Sequence, residues 1–297
     1  MKKTILILFS VLAGLAILFS FWDKKSDYML EQVVWHTNKK LSRLARSPET
    51  APDAAYEEIA DQYRRIIKEF PESKITPAMS LYLANVYMAK KDYEKARKIL
   101  AEVFVKYPEN QLLCAEAYSS IGRSYEIEGN WPLALQAYEK LKDEFPLTDL
   151  GLNVPLYIAN YYARNGLKVS AHQAFEEASA YYTKMAAQNV AQPEIEFKSL
   201  QLLSSCYLAQ QRWSLAVDVL KEMLSKFSAP QAALPIFGAI NTLVVTHLKD
   251  YDIGIDIYQN FISKNPDHPL NKFLGERINA LKTLKAKEIK ATPEPKK

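Results

Sequence analysis

Between Ala115 and Pro146 the apolar side chains recur at helical spacing in two consecutive runs. With Ala115 as position 1, Tyr118, Ile121 and Tyr125 fall at positions 4, 7 and 11, and Trp131, Tyr138 and Leu141 at 17, 24 and 27. Steps of three, four and seven residues share one face of a helix. The stretch therefore predicts two short amphipathic helices joined at Glu128-Gly129-Asn130. Small residues stand at position 8 (Gly122) and position 20 (Ala134). Antiparallel helices cross closely only where both present a small side chain, so Gly122 is expected to face Ala134. Gly129 can take the left-handed backbone that ends the first helix. Pro146, at position 32, lacks the amide needed to extend the second.

The same register recurs along the chain. From Pro77 it gives Leu83, Ala84, Tyr87, Tyr93, Ala96, Leu100, Val103 and Pro108. From Leu152 it gives Ile158, Ala159, Tyr162, Gly166, Ala171, Phe175 and Ala178. From Phe197 it gives Leu200, Leu203, Ser204, Tyr207, Trp213, Ala216, Leu220 and Met223. From Pro235 it is degraded. Tyr251, Gly254, Tyr258, Phe261 and Pro266 fit the second helix, but Asn241 and Thr242 stand where Leu and a small residue are usual. Upstream, Tyr56, Ile59, Tyr63, Phe70 and Pro71 fit a second helix alone. A hairpin of this size cannot bury its apolar face by itself, so neighbours must stack on it.

The pattern resembles the tetratricopeptide repeat, over roughly residues 54–266. The resemblance implies an all-α solenoid of helical hairpins and no enzymatic activity. It also implies a concave groove lined by the first helix of each repeat, with positions 2, 5, 9 and 12 or 13 facing a ligand. On this chain those positions are Leu81, Asn85 and Met88; Glu116, Ser119, Arg123 and Glu126; Leu156, Asn160 and Arg164; and Lys198, Gln201, Ser205 and Leu208. In peptide-clamping members an Asn at position 9 holds the ligand backbone, and Asn85 and Asn160 share that position. Arg123 could receive a carboxylate. The same residues also suit an ordinary wet helix face. The lysines of a carboxylate clamp are missing, so a chaperone C-terminal tail is not the indicated ligand.

Repeat starts are separated by 38, 37, 45 and 38 residues, longer than the usual 34. The extra residues follow a closing Phe-Pro or Tyr-Pro, in FPESKITP, YPENQLLC and FPLTDLGL. This spacing is similar to that of bacterial envelope proteins with these repeats: the lipoprotein that helps assemble outer-membrane β-barrels, the protein associated with the Tol–Pal system, and the ancillary subunit of the Sec translocon. The 45-residue interval has no helix breaker from Ala171 until Pro193, so that second helix should overrun by about two turns. The overrun is either an elbow or an exposed docking surface bearing Tyr181, Tyr182 and Met185.

At the N-terminus Thr4–Trp22 holds 19 residues without a charge. As a helix it would reach about 28 Å, close to the hydrocarbon thickness of a bilayer. The expectation is an uncleaved signal anchor, with Phe21 and Trp22 at the interface and Lys2 and Lys3 cytoplasmic. The chain would then sit in a bacterial inner membrane with its repeats on the periplasmic side. The alternative is a cleaved leader and a soluble exported protein. No cysteine stands there to carry a lipid.

The expected organisation is a cytoplasmic end (1–3), the anchor (4–22), a helical lead-in and linker (23–53) and a partial repeat (54–76). The solenoid (77–266), with repeats starting near 77, 115, 152, 197 and 235, a capping helix (267–290) and a disordered tail (291–297) complete it. Pro48 and Pro52 break the lead-in, and Asp53 is placed to cap the next helix.

Charge and chemistry change this picture little. The net charge is +4, and the six Lys and two Glu of Lys282–Lys297 account for the whole excess. The repeat body is then neutral on balance; a nucleic-acid binder would normally show a basic face, and nothing here requires a nucleic acid as partner. Cys114 and Cys206 fall in different repeats and are expected to be separate buried thiols. His36, His172, His247 and His268 lack metal-ligand spacing, and no phosphate-binding or nucleophile motif occurs. Neither a metal nor a cofactor is expected. A protein or peptide partner in the groove is the leading expectation, with self-association as a structural spacer the rival.

Overall fold

A computed structural model describes residues 27–46 and 50–291, with side chains through 288. The expected anchor at 4–22, its flanks at 1–3 and 23–26, Pro48 and the tail at 292–297 lie outside the described residues. Among the described residues every regular element is a helix.

The chain divides after Val154 into two units. The first contains α1 (Asp27–Leu44), α2 (Asp53–Glu69), α3 (Thr76–Ala89), α4 (Tyr93–Lys106), α5 (Gln111–Ile127) and α6 (Trp131–Glu144). Each packs on the next, and α3 also touches α5. The core follows the hairpin register: Leu83, Ala84 and Tyr87 from α3, Ala96, Leu100 and Val103 from α4, and Tyr56, Ile59 and Tyr63 from α2 are all buried. Asp53 does not cap α2. Pro52 is the N-cap residue, without a side-chain bond. The Asp53 carboxylate pairs instead with Lys90 at 3.3 Å.

α7 (Asp149–Arg164) carries the division between the units at Pro155. Gly151 admits a close approach at the start of α7: a β-carbon there would lie 2.1 Å from the Phe145 carbonyl oxygen. The second unit continues with α8 (Lys168–Gln188), α9 (Pro193–Ala209), α10 (Trp213–Lys226), α11 (Pro230–Thr242), a π-helical segment (Leu243–Leu248), α12 (Tyr251–Lys264) and α13 (Asn271–Ala291). α8 has 21 residues against 14 in α10. Its extra turns bury Tyr182 and Met185, so those two side chains offer no docking surface.

One backbone feature marks every repeat. Lys91, Gly129, Gly166, Gln211 and Lys249 have φ of 65°, 76°, 72°, 58° and 52°. Among the described residues they are the full set of left-handed positions, and each is position 15 of its register. In the first four, the following amide donates back to the tyrosine at position 11: Asp92 to Tyr87, Asn130 to Tyr125, Leu167 to Tyr162 and Arg212 to Tyr207, at 2.8–3.0 Å. This bond and the one from the left-handed residue itself form a Schellman closure. Asp92, Asn130 and Asp250 then cap the next helix through their side chains. The turn thus ends one helix and starts its partner within two residues.

The last hairpin departs from the expected register. Ile240, Leu243 and Val244 are buried, whereas Thr242, expected at the small-residue notch, is exposed. The buried face runs one residue early. The π segment absorbs the extra residue, and the Asp250 amide reaches back six residues to Val244 instead of five.

The notch at Gly122 also differs from expectation. A β-carbon on Gly122 would sit 2.6–2.9 Å from the Tyr138 ring. The glycine accommodates that aromatic ring, while Ala134 is separately buried.

Candidate partner-binding surface

In the first unit the expected groove residues lie on the contacting helices α3 and α5. Leu81 is only 7% exposed and belongs to the core, so it presents nothing to a partner. Met88 is half-buried and packs against that core. Glu116 and Ser119 are half-buried. Glu126 accepts the Tyr138 hydroxyl at 2.9 Å, which ties it to the residue that fills the Gly122 notch.

Asn85 and Arg123 differ from these. Both are exposed, and both stand at position 9 of their helices. Among the described residues neither side chain makes a hydrogen bond or ion pair within the protein. An amide that can donate and accept and a guanidinium with five N–H donors are therefore available on adjacent helices.

In the second unit the expected residues lie on α7 and α9. Leu156 and Asn160 are half-buried and Arg164 is exposed. The Arg164 Nε donates to the Asn160 carbonyl at 3.3 Å, and its guanidinium lies 5.8 Å from the Tyr157 ring. Lys198, Ser205 and Leu208 are half-buried and Gln201 is exposed. Ser205 donates to the Gln201 carbonyl at 3.0 Å.

Ionic contacts brace the hairpins around these surfaces. Arg97 pairs with Glu128 at 2.5 Å and lies 4.1 Å from the Tyr125 ring. Glu57 meets Arg64 and Lys90 at 3.2 and 3.3 Å and accepts the Tyr87 hydroxyl at 3.0 Å. Partial burial raises the Glu57 pKa, but hydrogen bonds from Tyr87, Arg64 and Lys90 and the nearby Lys95 charge outweigh it, so the net shift is down. In the second unit the carboxylate of Glu196, 5% exposed, is held by Lys226 at 2.6 Å. The Lys226 pKa is raised, chiefly by that hydrogen bond and a second from Glu222.

Several of the other shifted groups are core residues. Burial raises the Tyr63 and Tyr182 hydroxyls and pushes Tyr258 up to about 12. Cys114 and Cys206 are free and buried. Burial pushes the Cys206 thiol up to about 12, despite an opposing hydrogen bond with Ser179.

Among the described residues no group of three or more His, Cys, Asp or Glu could hold a metal ion. A cavity of about 290 Å³ opens between α10 and α12. Its walls carry Lys221, Lys264, Ser225 and Asn260 over Leu224 and Phe261, with no carboxylate, imidazole or thiol. The repeat register gave no signal for this cavity, because it lies on second helices. Pro230–Leu248 is long and apolar enough by composition to cross a membrane. Here its Ile236, Phe237, Ile240 and Val244 are buried in the last hairpin.

Comparison with known proteins supports a repeat protein. Residues 83–147, from within α3 to just past α6, match the tetratricopeptide repeat family. No curated protein matches the chain. Among solved structures it is similar to BtubC (BKLC) from P. vanneervenii, at 14% identity over 88% of this chain and 95% of that one, with a TM-score of 0.42. It is also similar to the TPR2AB domain of yeast Sti1 in its pHSP90 complex, at 10% identity over 85% and 99%, TM-score 0.34. The C-terminal part of a TPR repeat-containing protein from Cytophaga hutchinsonii matches at 16% identity over 82% and 94%, TM-score 0.34.

Proposed function

We propose that this protein is a membrane-tethered scaffold of the bacterial envelope that captures an extended segment of a protein partner on the first helices of its repeats. Asn85 and Arg123 carry the proposal. They are polar, exposed and without protein partners on two helices that touch. Asn85 would pair with the backbone of an extended segment and Arg123 with a carboxylate on it. In the second unit Asn160 and Arg164 would offer an amide and a guanidinium of their own. The uncharged run Thr4–Trp22 is the basis for the tether, with the repeats on the periplasmic side of the inner membrane.

The test is a triple substitution, Asn85→Ala, Arg123→Ala and Asn160→Ala, in the full-length protein. Recovery of co-purifying proteins from solubilised membranes is compared quantitatively with the parent. The expected outcome is loss of a defined partner with unchanged helicity by circular dichroism. An unchanged partner profile refutes the assignment. Sequencing the N-terminus of the mature protein tests the tether separately: a terminus beyond Trp22 means that the leader is removed.

A further inference from the structure

The helix α1 is two-sided in a way that its apolar pattern hides. Leu30, Val34 and Thr37 are buried against the first unit. On the opposite side Tyr28 and Trp35, one heptad apart, are 65% and 57% exposed. An aromatic pair at i, i+7 on a solvent face has no part in the core. Its neighbours on that side are Gln32, which donates to the Tyr28 hydroxyl at 2.8 Å, and Lys39, whose ammonium lies 4.8 Å from the Trp35 ring. Arg43 follows one turn later, and Glu31 is the one carboxylate on this flank of the helix; both are exposed.

We infer that the outer face of α1 lies on a lipid bilayer surface rich in anionic headgroups. This rests on the membrane tether proposed above. Three observations select lipid as the occupant. The uncharged run ends at Trp22, and α1 begins at Asp27, so α1 starts four residues from the expected edge of the bilayer. Tyr and Trp are the side chains that settle at the headgroup level, with an apolar ring and a polar edge. Lys39 and Arg43 project beside them, and basic side chains next to a membrane anchor are drawn to anionic lipid within a Debye length. A surface helix of 18 residues would lay about 27 Å of its length along the headgroups. The first unit would then be held against the bilayer by two elements instead of hanging from one.

The experiment uses the full-length protein in vesicles of equal parts phosphatidylcholine and phosphatidylglycerol, with and without brominated acyl chains. Substituting Trp22, Trp131 and Trp213 with Phe leaves Trp35 as the reporter, and a second variant keeps Trp213 alone. Flotation after an alkaline wash reports the tether independently. The expected result is flotation of both variants, loss of at least half of the Trp35 emission to brominated lipid, and little loss from Trp213. Flotation with Trp35 quenched no more than Trp213 overturns the inference and leaves the tether standing. Failure of the unsubstituted protein to float overturns both. If the tryptophan variants do not fold, Trp35→Cys carries a nitroxide instead, since Cys114 and Cys206 are buried. Its accessibility to oxygen, above that of an aqueous relaxant, is then the supporting result, and the reverse refutes.

Discussion

Gly122 and the left-handed turn residues show how single positions set the hairpin geometry. Replacing Gly122 with Ala would place a β-carbon inside the Tyr138 ring envelope. Overpacking of this kind costs about 1–3 kcal/mol, against a helix-propensity gain of about 1 kcal/mol. A lower thermal midpoint is expected, together with a weakened Tyr138–Glu126 contact. At Lys91, Gln211 and Lys249 the opposite change is favourable. Left-handed backbone costs a non-glycine residue about 1–2 kcal/mol. Replacement by Gly should therefore raise stability by up to about 1 kcal/mol, part of the relief being returned as unfolded-chain entropy. Chemical denaturation of the three single variants checks this. Glu57 supplies a pH test. Its folded pKa is lowered, so its contribution is complete above the ordinary carboxylate value of 4.5 and is lost as pH falls through the depressed folded value. Glu57→Gln should therefore lower the neutral plateau of the stability profile and leave its acid end nearly unchanged, which flattens the fall between the two.

Helices and turns were legible in the sequence to different depths. The hairpin pattern follows from apolar spacing and turn glycines, and Gly129 and Gly166 adopt the expected left-handed backbone. The long α8 was visible because no breaker stands before Pro193. That its overrun is buried was not, since Tyr182 and Met185 look the same in sequence whether they meet solvent or a neighbour. The last hairpin misled for a related reason. Periodicity assumes a constant number of residues per turn, and the π segment breaks that assumption. Deleting Thr246, an exposed residue of that segment, should remove the surplus residue and restore the five-residue reach of the turn amide. Loss of cooperative unfolding in that variant would refute the register argument. Tyr182 accepts the Leu156 amide at 3.1 Å one residue after Pro155. Tyr182→Phe removes that hydrogen bond and should cost about 1 kcal/mol, seen as faster hydrogen exchange at Leu156. The exposed face of α1 escaped pattern reading altogether, because Tyr28 and Trp35 count as apolar in any periodicity sum.

Within each unit, most of the packing joins helices that are neighbours in sequence, with α3 also touching α5. Such an array has stability that is nearly a sum of local terms. Ending the chain before Asn271 removes the buried Leu274, Ile278 and Leu281 and uncovers α12. Hydrogen-exchange protection should fall in α12 and the π segment, while α2 to α4 keep theirs; a uniform loss would contradict local coupling. The recurring pivot after each first helix also has a practical use. The segment 92–129 runs from one pivot to the next and contains a complete cap, second helix, loop and first helix. Because both of its ends have the same backbone geometry, a duplicate of it could be spliced in at Gly129 without redesigning a junction. The array is thus a ruler that can be lengthened one graduation at a time.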